Sequence, residues 1–151
     1  MPDLLTPNAV DTEAYDLAVI GAGSAGFSAA ITAAEDGARV ALIGYGTIGG
    51  TCVNVGCVPS KAMIRAVETL RSAKVAARFD GVEATAQVTD WTALLAQKQA
   101  LVDDLRVAKY VDVLPNYEGV NYIEGQASFL QDGSLHVGDR TIRAPKIITA
   151  T

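Results

Sequence analysis

The sequence predicts an α/β domain: a parallel sheet flanked by helices, followed by a small antiparallel β-meander. Three observations carry that reading. Residues 15–20 (YDLAVI) and 38–43 (ARVALI) are short apolar runs of strand type. Between them, GAGSAG leads into FSAAITAAEDG, a small-residue stretch of helical length. Beyond Val120 the chain breaks into short runs separated by Glu-Gly, Asp-Gly and Gly-Asp pairs, which are turn formers. Strand–helix–strand within about thirty residues is a βαβ unit, and its crossover is right-handed.

Composition fits one domain. Of 151 residues half are apolar and 19% charged, which excludes a disordered tail or charged linker. Aromatics reach only 6%, so alanine and aliphatic side chains must build most of the core. Twelve basic residues against seventeen acidic ones leave a net charge of −5. No dense Lys/Arg cluster is present, so no nucleic-acid partner is expected, because phosphate binding needs concentrated positive charge.

Taken in order, residues 1–14 read as a flexible N-terminal tail broken by Pro2 and Pro7. The tail lacks the basic start and apolar stretch of a signal peptide, so the expected compartment is cytoplasmic. Residues 17–34 are uncharged and long enough to raise the question of a membrane span. They are rich in Gly, Ala, Ser and Thr, which favours a strand, a turn and a helix, and no membrane partner. Gly37 is the expected C-terminal stop of that helix. GYGTIGG then leads to TCVNVGCVPSK. Pro59 sits where a first helical turn tolerates it, and Met63, Val67 and Leu70 recur at helical spacing. A loop is expected around residues 79–81. Asp90 reads as the N-cap of a longer helix carrying Trp91, Leu94, Leu95, Leu101 and Leu105 on one side. Pro115 lies beyond its end. VNYI, QASFL, SLHV and RTIR supply the expected meander, and KIITAT reads as a last apolar strand.

Gly21, Gly23 and Gly26 fit G-x-G-x-x-G. The first glycine permits the tight turn, the second lets a pyrophosphate approach the backbone, and the third lets helix and strand pack closely. The helix N-terminus adds N–H donors and a positive dipole end. Following a strand and opening a helix, this spacing predicts a Rossmann-like dinucleotide site. The acidic residue that ends the second strand in such sites, on the ribose hydroxyls, is replaced by Gly44. Water or Tyr45 is left to take the ribose, and an acidic residue restored at 44 is expected to tighten binding.

Cys52 and Cys57 stand in CVNVGC. The spacing differs from C-x-x-C, and two cysteines with one distant histidine make a poor zinc set. Two buried free thiols are the bland alternative. Against it, Cys57 lies at the approach to a helix, whose dipole favours a thiolate, and Lys61 follows one turn later. Lys61 taken alone reads equally as a solvated surface lysine.

GGTCVNVGCVPSK resembles the redox-active segment of the FAD-dependent pyridine nucleotide–disulfide oxidoreductases. Within that family, GTIGGTCVNVGCVPSKAMIRA and LLAQKQALVDDLRVAKY look most like the mercuric reductases. The resemblance runs from Tyr15 to Thr151. It implies that residues 15–151 are the N-terminal part of an FAD-binding domain, incomplete here, with the NAD(P)H-binding and dimerisation domains absent from these residues. It implies FAD pyrophosphate at Gly21, Gly23 and Gly26, and further FAD contacts at Gly46, Thr51, Lys61 and Ala127. Cys57 corresponds to the thiolate against the flavin, Cys52 to the interchange thiol facing substrate, and Lys61 to the cation that stabilises reduced flavin. Cys52 and Cys57 would form the redox-active disulfide and hold Hg²⁺ as substrate ion, with NADPH as reductant and a homodimeric parent. His136 does not match the family's catalytic histidine, and the chain alone is expected not to turn over with NADPH. A dihydrolipoamide dehydrogenase-type enzyme and a non-catalytic flavin- or soft-metal-binding module are the competing readings.

Overall fold

A computed structural model describes residues 12–151. The remainder of the expected tail, residues 1–11, lies outside the described residues. The chain divides into two compact units, one built from residues up to Ile48 together with Val113–Thr151, the other from Gly49–Asp112.

The first unit holds two four-stranded sheets. One is wholly parallel: β2 (Leu17–Ile20), β3 (Val40–Gly44), β4 (Val120–Glu124) and β8 (Ile147–Thr149), in the order β4-β3-β2-β8. Leu17 pairs with Val40, Val40 with Val120, and Ala18 with Ile147. Helix α1 (Ser24–Glu35) crosses between β2 and β3, and Gly37 closes it in the left-handed region at φ +88°. The uncharged stretch at 17–34 is thus a strand, a turn and a helix. Among the described residues no helix is long and apolar enough to cross a membrane.

The second sheet has the order β1-β7-β6-β5. Its meander is β5 (Ala127–Phe129), β6 (Leu135–Val137) and β7 (Arg140–Arg143), joined by antiparallel pairing. β1 (Thr12–Ala14) adds to β7 in parallel. Two sequence expectations are corrected here. Residues 12–14, assigned to the tail, form an edge strand. VNYI, assigned to the meander, is instead the parallel edge strand of the first sheet, because a short alternating run pairs equally well in either direction.

Strand alternation sets the layers. Ala18, Ala41, Ile43 and Ile123 face one way and meet Leu135, Val137 and Ile142 of the second sheet. Val19 faces the other way, toward α1, whose Phe27 and Ala30 are buried. Ala18, Ala30 and Ala41 are wholly buried, so small side chains carry the close packing that the composition called for. Tyr15 ties the sheets at one end. Its hydroxyl donates to Glu13 at 2.5 Å and accepts from Asn121 Nδ2 at 2.6 Å, while the Arg39 guanidinium lies 4.7 Å from its ring centroid.

The second unit is helical: α2 (Gly50–Asn54), α3 (Cys57–Lys74), a 3₁₀ turn at Ala76–Arg78, α4 (Trp91–Arg106) and a π-helical turn at Val107–Val111. Arg106 binds Asp103 at 2.8 Å and Asn54 at 3.2 Å, joining α4 to α2. Val53, Val102 and Tyr110 are its buried apolar side chains. Of the apolar residues expected on one side of α4, Trp91, Leu95 and Leu101 are exposed, and Val102 is the helix's buried residue.

Candidate functional site: a glycine turn and a dithiol on successive helices

In the first unit, β2 ends at Ile20 and α1 begins at Ser24, so the fingerprint glycines occupy the turn between them. Gly21 takes φ +117°, and a Cβ there would lie 2.2 Å from the Ala150 carbonyl oxygen. A Cβ at Gly26 would lie 1.8 Å from the Gly21 carbonyl oxygen. Neither position can carry a side chain without moving backbone. Gly23 is the N-cap of α1, brings no side chain to the helix start, and no acidic residue follows in the first turn. A pyrophosphate fits that chemistry: bare main chain, N–H donors and the positive end of a twelve-residue helix.

The packing of Ala150 and Thr151 against Gly21 was not legible beforehand, since nothing in KIITAT marks it. Gly46 lies in an exposed turn after β3, and Ala127 opens β5 half-buried. Tyr45 is 78% exposed. Gly44, by contrast, is buried at the end of β3. A Cβ there would meet Ala22 Cβ at 2.7 Å and Tyr122 Oη at 2.8 Å. An acidic residue at 44 would therefore have to displace the tip of the Tyr122 side chain and shift against Ala22 before it could reach a ribose.

In the second unit the cysteines sit on successive helices. Cys52 lies within α2 and Cys57 is the first residue of α3, so the second thiol belongs to the helix rather than preceding it. Gly56 makes the corner. Its backbone runs so close to α2 that an added Cβ would lie 3.0 Å from the Thr51 carbonyl oxygen and 3.4 Å from Cys52 Cα. Both cysteines are exposed free thiols, which removes the buried-thiol alternative.

Their electrostatics are asymmetric. A hydrogen bond from Cys52 holds the Cys57 thiol below the ordinary value of 9.0, helped by the Lys61 charge and by the main chain. The same hydrogen bond raises Cys52. Of the two thiols, Cys57 is therefore the one that ionises more readily. Lys61 is exposed one turn along α3, and Thr51 is exposed in α2. Among the described residues no cluster of three or more His, Cys, Asp or Glu side chains could hold a metal ion, so a metal at this place would rest on the two sulfurs. His136 is an exposed residue of β6, paired with Ser128 and Thr141.

Residues 15–151 match the family described as pyridine nucleotide-disulphide oxidoreductase. The chain belongs to that family. Its relatives include the mercuric reductases of Staphylococcus aureus and Shigella flexneri. The first is 44% identical over 137 residues, which is 91% of this chain and 25% of that protein. The second is 44% identical over 158 residues, 100% of this chain and 28% of that protein. Among solved structures, the HOCl-induced flavoprotein disulfide reductase RclA from Escherichia coli aligns with a TM-score of 0.72 and 31% identity. That alignment covers 91% of this chain and 28% of that one. The chain therefore spans roughly a quarter of each of these relatives, and the likeness supports the Rossmann-like α/β fold seen in its first unit.

Proposed function

We propose that this chain is the flavin- and dithiol-bearing part of a cytoplasmic mercuric reductase, whose parent enzyme reduces Hg²⁺ to Hg⁰ with NADPH. One observation carries the proposal: two exposed thiols on the successive helices α2 and α3, with Cys57 the first residue of α3, lowered by its hydrogen bond from Cys52 and by Lys61. FAD fits the glycine turn, with its pyrophosphate on Gly21, Gly23 and Gly26, and Gly46, Thr51, Lys61 and Ala127 are its further expected contacts. When bound, FAD relays two electrons between a pyridine nucleotide and a disulfide.

The chain's own residues supply the rest. Lys61 and the start of α3 stabilise the Cys57 thiolate. Cys52, higher in pKa and exposed, is the sulfur presented to substrate. Hg²⁺ is a soft ion that prefers thiolates. Two Hg–S bonds form, the Cys52 proton leaves to solvent, and the ion sits on both sulfurs. The overall balance is Hg²⁺ + NADPH giving Hg⁰ + NADP⁺ + H⁺. The parent is expected to be a homodimer.

Titration of the reduced chain with Hg²⁺, followed by thiol counting and mass spectrometry, tests the binding step. The expected result is one ion per chain with both thiols lost, and a much weaker complex in Cys52→Ala and Cys57→Ala. Uptake unaffected by either variant overturns it. Hg²⁺-dependent NADPH oxidation by a full-length protein carrying this sequence tests the reaction. Turnover of dihydrolipoamide without turnover of mercury favours the dithiol-oxidising alternative, and Hg²⁺ binding without any NADPH oxidation favours a non-catalytic trap.

A further inference from the structure

The carboxyl end of β3 is the place where dinucleotide folds put a carboxylate for the adenosine ribose. Here it carries Gly44, and the missing side chain has been replaced in space from the neighbouring strand. Tyr122 Oη lies 2.8 Å and Tyr122 Cε2 2.9 Å from where a Gly44 Cβ would stand, with Ala22 of the glycine turn closing the other side. Register explains the fit. Tyr122 pairs with Leu42 and Glu124 with Gly44, so residues 42, 44, 122 and 124 share one face of the parallel sheet. The phenol reaches one step further along that face and fills the position opposite Gly44, beside the turn.

The Tyr122 hydroxyl has no hydrogen-bond partner among the described residues. No buried side-chain polar atom there lacks a partner, so this oxygen is reached by solvent and by any ligand on the turn. Burial of the ring and the charge of Glu124 both raise its pKa, which keeps the phenol protonated. Tyr45, the residue next to Gly44, points no comparable group inward, being 78% exposed.

We propose that the Tyr122 hydroxyl binds the adenosine ribose of the dinucleotide held by the glycine turn, in place of the carboxylate that Gly44 does not provide. The proposal rests on the dinucleotide reading of that turn. A phenol donates one hydrogen bond and accepts others, whereas a carboxylate only accepts. The ribose is then held without a negative charge from residue 44.

The test measures FAD, ADP and 2′,3′-dideoxy-ADP binding to the whole chain and to Tyr122→Phe, which keeps the ring and its packing. The expected result is that Y122F weakens FAD and ADP about three- to tenfold, the worth of one neutral hydrogen bond. It should also erase the wild-type preference for ADP over the dideoxy analogue, which a purely structural role would leave intact. FAD binding unchanged in Y122F overturns the proposal and leaves the dinucleotide reading standing, as does a variant that keeps its ribose preference. No FAD binding by the wild-type chain overturns both.

Discussion

At the scale of single residues the chemistry lies in the opposite shifts of two neighbouring thiols, Cys52 upward and Cys57 downward. The largest influence on Cys57 is its hydrogen bond from Cys52, ahead of the Lys61 charge. The sign follows directly. A thiol below 9.0 is ionised at a lower pH than an ordinary one, so its nucleophilicity persists as pH falls toward neutrality. Alkylation followed by peptide mapping should therefore find Cys57 reacting ahead of Cys52, with its pH midpoint below that of a free thiol. Cys52→Ala should move that midpoint up by removing the hydrogen bond, and Lys61→Gln should move it up less. Equal midpoints for the two cysteines, or a larger effect from Lys61 than from Cys52, would contradict this ordering. The cysteine pair, Lys61 and the helix start were legible in the sequence because they are close neighbours in the chain. Tyr122 was not, because its role depends on pairing across 78 residues with an absent side chain at 44, and a tyrosine in VNYI carries no mark of that.

At the scale of elements, local signals held where local chemistry decides. The place of Asp90 before a helical run predicts an N-cap, and its carboxylate accepts from the Ala93 N–H at 3.0 Å. Because α4 contributes one buried residue, Val102, its start depends heavily on that cap. Asp90→Ala should destabilise the chain by about 1 kcal/mol. Thermal or urea unfolding of the chain checks it, and Asp90→Asn, which keeps an acceptor, should recover most of the loss. What local signals missed was long-range. The strand at 120–124 shows the same alternation in a parallel or antiparallel partnership, so only the fold reveals that it closes the parallel sheet. The strand at 12–14 is defined by its partner β7, since TEA has little strand character of its own. On α4, helical spacing shows that apolar residues share a side, and says nothing of whether anything covers that side.

At the scale of the whole molecule, the number of dinucleotide turns sets what these residues can do by themselves. Electron flow from NADPH to a disulfide through FAD needs two dinucleotides bound at once, each wanting its own strand–glycine turn–helix. Among the described residues the glycine turn at the end of β2 opens a twelve-residue helix, whereas the glycine run after β3, Gly44, Gly46 and Gly49, leads only into the five-residue α2, too short to give a phosphate site, and the helical unit contains no strand of its own. The FAD-loaded chain should therefore keep its flavin absorbance when NADPH is added, and lose it on addition of dithionite, which needs no binding site. Its dithiol should still take up Hg²⁺ under the same conditions, because both sulfurs and Lys61 lie within the chain. Bleaching by NADPH at a rate that saturates with its concentration would mean that these residues hold a second dinucleotide beside the bound FAD. In that event the limit of one dinucleotide drawn from the turn at the end of β2 would fall, while the thiol chemistry of Cys52 and Cys57 would stand unchanged.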